Sequence, residues 1–133
     1  MILFDANVFV DVLNNRDNFY EASAEVIEKV QSGKESGCIS ALTVPILWYV
    51  LGEDLPPVKE IREIINDFEI IPLTSQIIEA SFKSEMKDFE DAIQLNSALK
   101  RRCTTLITRN KKDFKINTIS ILTPEEFLAS DKD

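Results

Sequence analysis

Apolar residues in this chain form short continuous runs separated by longer stretches in which they recur every three or four positions. The runs near 1–4, 37–40, 69–72, 103–107 and 118–122 read as strands, and the stretches between them as helices. Such alternation is the signature of an α/β protein whose parallel sheet is covered by helices on both faces. In "FYEASAEVIEKVQSGKESG", Tyr20, Ala24, Ile27 and Val30 recur at helical spacing, and Gly33 is the predicted stop. In "TPEEFLAS", Thr123 is the predicted N-cap, Pro124 the first helical residue, and Glu126 closes a capping box. Pro56 and Pro57 in "GEDLPP" end one helix and begin the next. No repeat, low-complexity tract or linker interrupts the pattern.

Composition narrows the chemistry. With 133 residues, 44% hydrophobic and 29% charged, the chain is expected to form one domain over 1–133. No apolar run reaches the roughly 18 residues of a membrane helix. Asp5 and Asp11 interrupt the apolar start and Arg16 is the first basic residue, so no secretory signal is read and a soluble, cytoplasmic protein is expected. Cys38 and Cys103 occupy strand positions and are expected as buried free thiols. The absence of histidine excludes His-dependent zinc sites, Ser-His-Asp triads and Cys-His dyads. None of the three glycines stands in a P-loop or dinucleotide fingerprint. The net charge of −8 argues against a broad basic surface for nucleic acid. Seven of the fifteen basic residues nevertheless fall between Lys100 and Lys115, forming either a local cationic rim or a solvated helix end and loop.

The remaining signal lies in the carboxylates. In a parallel α/β unit the N-terminus of a helix lies at the sheet edge where the strands end, and ligands favour that edge. Asp5 follows the first strand, Asp91 stands near the start of the helix preceding the "CTTLI" strand, and Asp113 follows that strand through "TRNKKDF". On a helical wheel the 88–99 apolar stripe centres on Ala92, Leu95 and Leu99; Asp91 borders it, Glu90 points to solvent and Asp88 reads as the N-cap. Taken alone, Asp5 reads first as a helix cap and Asp113 as an ordinary loop carboxylate. Three acids converging on one edge would repel without a compensating cation. All-oxygen ligands suit Mg²⁺ or Mn²⁺. Asn7, Thr108 and Asn110 are candidates to orient ligands, with Asp88 supporting and Asp11 at the surface or behind them. Arg109, Lys111 and Lys112 are candidates to steady phosphates, or ordinary surface ion pairs.

At "LFDANVFVDVL", "DFEDAIQLNSAL", "LITRNKKDF" and "ISILTPEEFL", in this order, the chain resembles the PIN-domain family of metal-dependent ribonucleases, particularly small prokaryotic members that include VapC-type toxins. The resemblance implies a PIN-like three-layer α/β/α sandwich around a five-stranded parallel sheet. It further implies Asp5, Asp91 and Asp113 as the catalytic and metal-binding acids, with Asn110 at the other polar position of the "TRN" turn. Mg²⁺ or Mn²⁺ is the implied cofactor and RNA the implied substrate; an antitoxin protein and self-association are the implied partnerships, with Trp48 and Tyr49 available for a contact unless they belong to the core. The family commonly carries a further glutamate early in the helix after the second strand, where this chain has Ile46, with Pro45 the nearest alternative. That departure motivates an alternative: a catalytically weak module that binds RNA or protein. An aspartyl phosphotransferase of the haloacid-dehalogenase type would want a second Asp where Asn7 stands.

Overall fold

The computed structural model describes residues 1–52, 54–115 and 118–130. The strands are β1 (Ile2–Phe4), β2 (Gly37–Ser40), β3 (Glu69–Ile71), β4 (Thr105–Ile107) and β5 (Ser120–Leu122), all parallel, in the order β3-β2-β1-β4-β5. Between them lie α1 (Ala6–Leu13), α2 (Tyr20–Gln31), α3 (Thr43–Leu51), α4 (Val58–Ile65), α5 (Ser75–Phe82) and α6 (Phe89–Lys100), with α7 (Pro124–Ser130) last. Glu53, of the "GEDLPP" stretch, lies outside the described residues.

Side-chain alternation along the strands divides the core into two layers. Ile2, Phe4, Ile39 and Ile107 face α1, α2, α3, α4 and α7, where Phe68 meets Phe4 and Phe9 edge-on at 5.0 and 5.1 Å. Leu3, Cys38 and Leu106 face α5 and α6, packing with Ile77, Ile93, Leu95 and Ala98. Burial on both faces is why these strands read as continuous apolar runs. Cys38 and Cys103 are free and buried, their Sγ atoms 3.4 Å apart across β1.

Several boundaries shift for local reasons. The strand expected from 103 begins at Thr105: Arg102 adopts φ 60° and the Cys103 N–H donates to Ala98 O at 2.9 Å, so the close of α6 consumes those residues. The strand expected from 118 begins at Ser120. In α2 the buried face is Ser23, Val26, Ile27 and Val30, leaving Tyr20 exposed. Gly33 ends that helix at φ 83°, a conformation that favours glycine. In α6 the buried arc runs over Ala92, Ile93, Gln94, Leu95, Ser97 and Ala98, with Leu99 exposed, because the helix is covered by both the sheet and α5. Trp48 and Tyr49 are exposed on α3.

The capping box of α7 forms as the spacing predicts. Glu126 N–H donates to Thr123 Oγ1 at 3.1 Å, and Thr123 N–H donates to Glu126 Oε1 at 3.0 Å. Thr123→Ala is expected to lower stability by about 1 kcal/mol, measurable by chemical denaturation.

Candidate functional site

Strand order reverses direction of growth at β1, which pairs with β2 on one side and β4 on the other, so the ends of β1 and β4 form the switch point that serves as the ligand crevice in open α/β sheets. Asp5 stands there, its N–H donating to Ile107 O at 2.9 Å. It occupies the N-cap position of α1, yet its side chain makes no capping bond. Instead Oδ2 accepts from Thr108 Oγ1 at 2.7 Å and from Asn7 Nδ2 at 3.2 Å. Asn7 Oδ1 in turn accepts from the Arg109 backbone N–H at 3.1 Å, and Thr108 Oγ1 from the Asn110 N–H at 3.1 Å. The carboxylate is thereby oriented by the residues on either side of the crevice. Asn110 contributes only its backbone; its side chain is exposed.

Burial dominates the electrostatics of Asp5, raising its pKa from 3.8 to about 6, with the Thr108 hydrogen bond pulling it down and the charges of Asp88 and Glu90 adding to the rise. Asp91, half-buried in the first turn of α6, is raised to about 7 by desolvation and then by Asp5, Asp88, Asp113 and Glu90. Asp88 caps α6, its Oδ1 accepting from the Asp91 N–H at 3.0 Å. Asp113 is exposed on the 3₁₀ turn Lys111–Asp113 and meets the others through its charge on Asp91. Glu90, expected to point away, is indeed exposed, but its charge reaches both Asp5 and Asp91. The five acids thus share one electrostatic neighbourhood. Among the described residues, no three acidic or cysteine side chains are gathered tightly enough to hold a metal ion as they stand.

The sequence profile described as PIN domain matches residues 1–112. The chain belongs to the PIN-domain family. Among solved structures, the PIN fold seen here is similar to a toxin–antitoxin complex from Klebsiella pneumoniae, with 28% identity, a TM-score of 0.72, and coverage of 93% of this chain and 98% of that one. It is also similar to FitAcB from Neisseria gonorrhoeae, at 21% identity and TM-score 0.67, covering 94% and 99% of the two chains. VapBC2 from Rickettsia felis, solved bound to a promoter DNA fragment, matches at 19% identity and TM-score 0.66, covering 92% and 97%. The chain matches no curated protein sequence.

Within this PIN domain, α3 carries no acidic residue; Ile46 is partly buried where the family commonly has glutamate. The basic residues expected at the rim divide. Arg109 is not a free phosphate ligand: Nε and Nη2 donate to Asp11 Oδ2 at 3.1 and 3.0 Å, Nη2 to Ser23 Oγ at 3.0 Å, Nη1 to Glu125, and its guanidinium lies 4.1 Å from the Phe19 ring centre. Lys111 Nζ is paired with Glu126 at 3.0 Å. Lys112 is exposed and has no ion-pair partner among the described residues. Asp11, expected at the surface or behind the candidate ligands, is completely buried and is the centre of the Arg109 network.

Sequence reasoning missed Thr43 and Gln94. Gln94 lies one turn beyond Asp91, and its Nε2 donates to Thr43 Oγ1 at 3.3 Å, joining α6 to the start of α3; Gln94 Oε1 is buried without a partner. The available signal was a glutamine three positions after Asp91 on the arc that faces inward.

Proposed function

We propose that this PIN domain, comprising the whole chain, is a cytoplasmic metal-dependent endoribonuclease and the toxin of a toxin–antitoxin pair. The observation that carries the reading is Asp5: a buried carboxylate at a helix start that does not cap its helix, held by Thr108 and Asn7, with Asp91 close enough for their charges to oppose one another. Unfavourable pairs of this kind are characteristic of sites that function with a compensating charge. The donors are all hard oxygens, which fits Mg²⁺ or Mn²⁺. Asp5, Asp91 and Asp113 would hold the ion once drawn closer together, since no tight cluster preexists among the described residues. A divalent ion there supplies neutralisation of the phosphoryl oxygens and acidification of a bound water.

The chain's own groups do the positioning. Thr108 and Asn7 both donate to Oδ2 of Asp5 and so fix the orientation of its carboxylate. Asp88, by capping α6, fixes the first turn from which Asp91 projects. The N-termini of α1 and α6 favour negative charge and so support both ionised carboxylates. The antitoxin partner is supported by the Klebsiella pneumoniae toxin–antitoxin complex to which the chain is similar; self-association is proposed on the family resemblance.

A second reading, a PIN module that binds RNA or protein without cutting, is favoured by Ile46 and by the absence of a tight acidic cluster among the described residues. The experiment that separates them is cleavage of single-stranded RNA by the purified chain with Mn²⁺. The nuclease reading expects cutting that EDTA stops and that Asp91→Asn reduces at least about 100-fold, in the range of losses seen when a group stabilising developing charge is removed. Persistent failure to cut with either Mn²⁺ or Mg²⁺, or full activity of Asp91→Asn, would reject it.

A further inference from the structure

The connection between α5 and α6 holds two phenylalanine rings in solvent beside the acidic crevice. Phe82, the last residue of α5, is 68% exposed, and Phe89, the first of α6, is 41% exposed. Their ring centres lie 5.2 Å apart with 33° between the planes. Neither ring belongs to the two layers of the core, so the fold does not account for them. Phe89 stands between Asp88 and Glu90 and two residues before Asp91, within one turn of α6, or about 5.4 Å along its axis. Lys83 and Lys87 lie on the same connection, exposed, and their ammonium groups make no ion pair or hydrogen bond among the described residues.

This patch is small and isolated. The other exposed apolar residues near these helices, Leu73 and Leu99, belong to the opposite end of the pair, where Lys100 Nζ donates to Gln76 Oε1 at 2.8 Å. Two rings fall well short of the roughly 800 Å² that each partner buries in a stable protein interface. They match the size of a nucleobase. Exposed aromatic faces interleaved with cations are the arrangement by which proteins hold unpaired strands, the rings taking bases and the cations taking phosphates.

We infer that Phe82 and Phe89 form a stacking platform for an unpaired base of an RNA strand, placing the neighbouring phosphate at the acidic crevice. Lys83 and Lys87 offset part of the repulsion between that strand and Glu85, Asp88 and Glu90. A base within a duplex is already stacked on both faces, so the platform selects single strands. The inference rests on the reading of the crevice as a ribonuclease centre, but it concerns strand binding and can be tested without cleavage.

The test is titration of the full chain, in EDTA, into a single-stranded oligoribonucleotide carrying 2-aminopurine, whose fluorescence falls on aromatic stacking. The wild type is expected to quench the probe. Phe82→Leu/Phe89→Leu is expected to lose the quench and bind about 10-fold more weakly, while Phe89→Tyr restores both. Lys83→Gln/Lys87→Gln is expected to keep the quench and reduce the salt dependence of binding. Circular dichroism and sedimentation establish that each variant is folded and in the wild-type assembly state. No quench with the wild type, unchanged binding by the double leucine variant, or a change confined to the assembly state would overturn the platform, the last assigning the rings to a protein contact. A wild type that quenches the probe but never cuts RNA with Mn²⁺ would leave the platform standing and remove the nuclease reading. Cutting with an unaltered KM in the double leucine variant would do the reverse.

Discussion

Replacing Arg109 with methionine is expected to destabilise the protein by about 3–5 kcal/mol, the range for stripping the partner from a buried ion. Asp11 has no exposed surface, and Arg109 gives its Oδ2 two donors while Ser23 Oγ supplies a third at 2.9 Å. Asp11 Oδ1 makes no hydrogen bond; its ion pair with the half-exposed Arg16, Nη1 at 3.6 Å, supplies charge but none of the hydrogen bonds that Arg109 gives Oδ2. The guanidinium also joins Glu125 of α7 and the Phe19 ring, so its removal loosens α1, α2 and α7 together. Arg109→Lys is expected to recover little, because one ammonium cannot serve carboxylate, hydroxyl and ring in a fixed fork. Thermal unfolding of the single variants and of Asp11→Leu/Arg109→Met checks the account. The double variant should recover most of the loss, since the charge left unpaired is then gone. A midpoint for Arg109→Met within a few degrees of wild type would contradict the buried-pair account.

That network marks where the sequence stopped being readable. Strand positions and parallel topology followed from local pattern, since a strand covered on both faces is apolar at every position, as Ile2–Phe4 and Gly37–Ser40 show. The acids of the crevice were legible because topology alone carries the ends of β1 and β4 and the start of α6 to one edge. Asp11 was not legible. An acid in an apolar helix is ordinarily exposed, and what overrides that rule is an arginine 98 residues away whose position depends on the finished sheet. The same holds for α2 and α6, whose buried arcs differ from the simplest stripe because Ser23 is drawn inward by Asp11 and α6 is covered from two sides. Gln94 and Thr43 meet from segments 51 residues apart, a separation at which single-sequence periodicity carries no information.

Asp5→Asn is expected to raise the stability of the metal-free protein near pH 8 while removing the function proposed for it. In the folded chain Asp5 ionises at about 6 instead of 3.8, because burial disfavours its charge. The folded state therefore holds a proton that the unfolded chain has released. Stability is fully present below about pH 4 and is lost as pH rises through 6; Asp91, raised to about 7 but partly exposed and more screened, extends the decline in the same direction. At about 1.4 kcal/mol per unit, the Asp5 shift alone corresponds to about 3 kcal/mol between those limits. In EDTA the wild-type midpoint should fall between pH 4 and pH 7, and the Asp5→Asn midpoint should fall less, by the share that Asp5 contributes up to about pH 6. An asparagine keeps an acceptor for Thr108 without carrying the charge. Saturating Mn²⁺ should raise the wild-type midpoint most at the upper end of that range, by about 2.7 kcal/mol at a concentration 100 times Kd, and leave the variant nearly unmoved. The variant is stabilised where the wild type is strained, the trade expected when a charged cluster is maintained for binding rather than for folding. Scanning calorimetry with EDTA and with Mn²⁺ decides the matter: a variant less stable than wild type at pH 8, or one that responds equally to Mn²⁺, would show that Asp5 is held for structure and not for a cation.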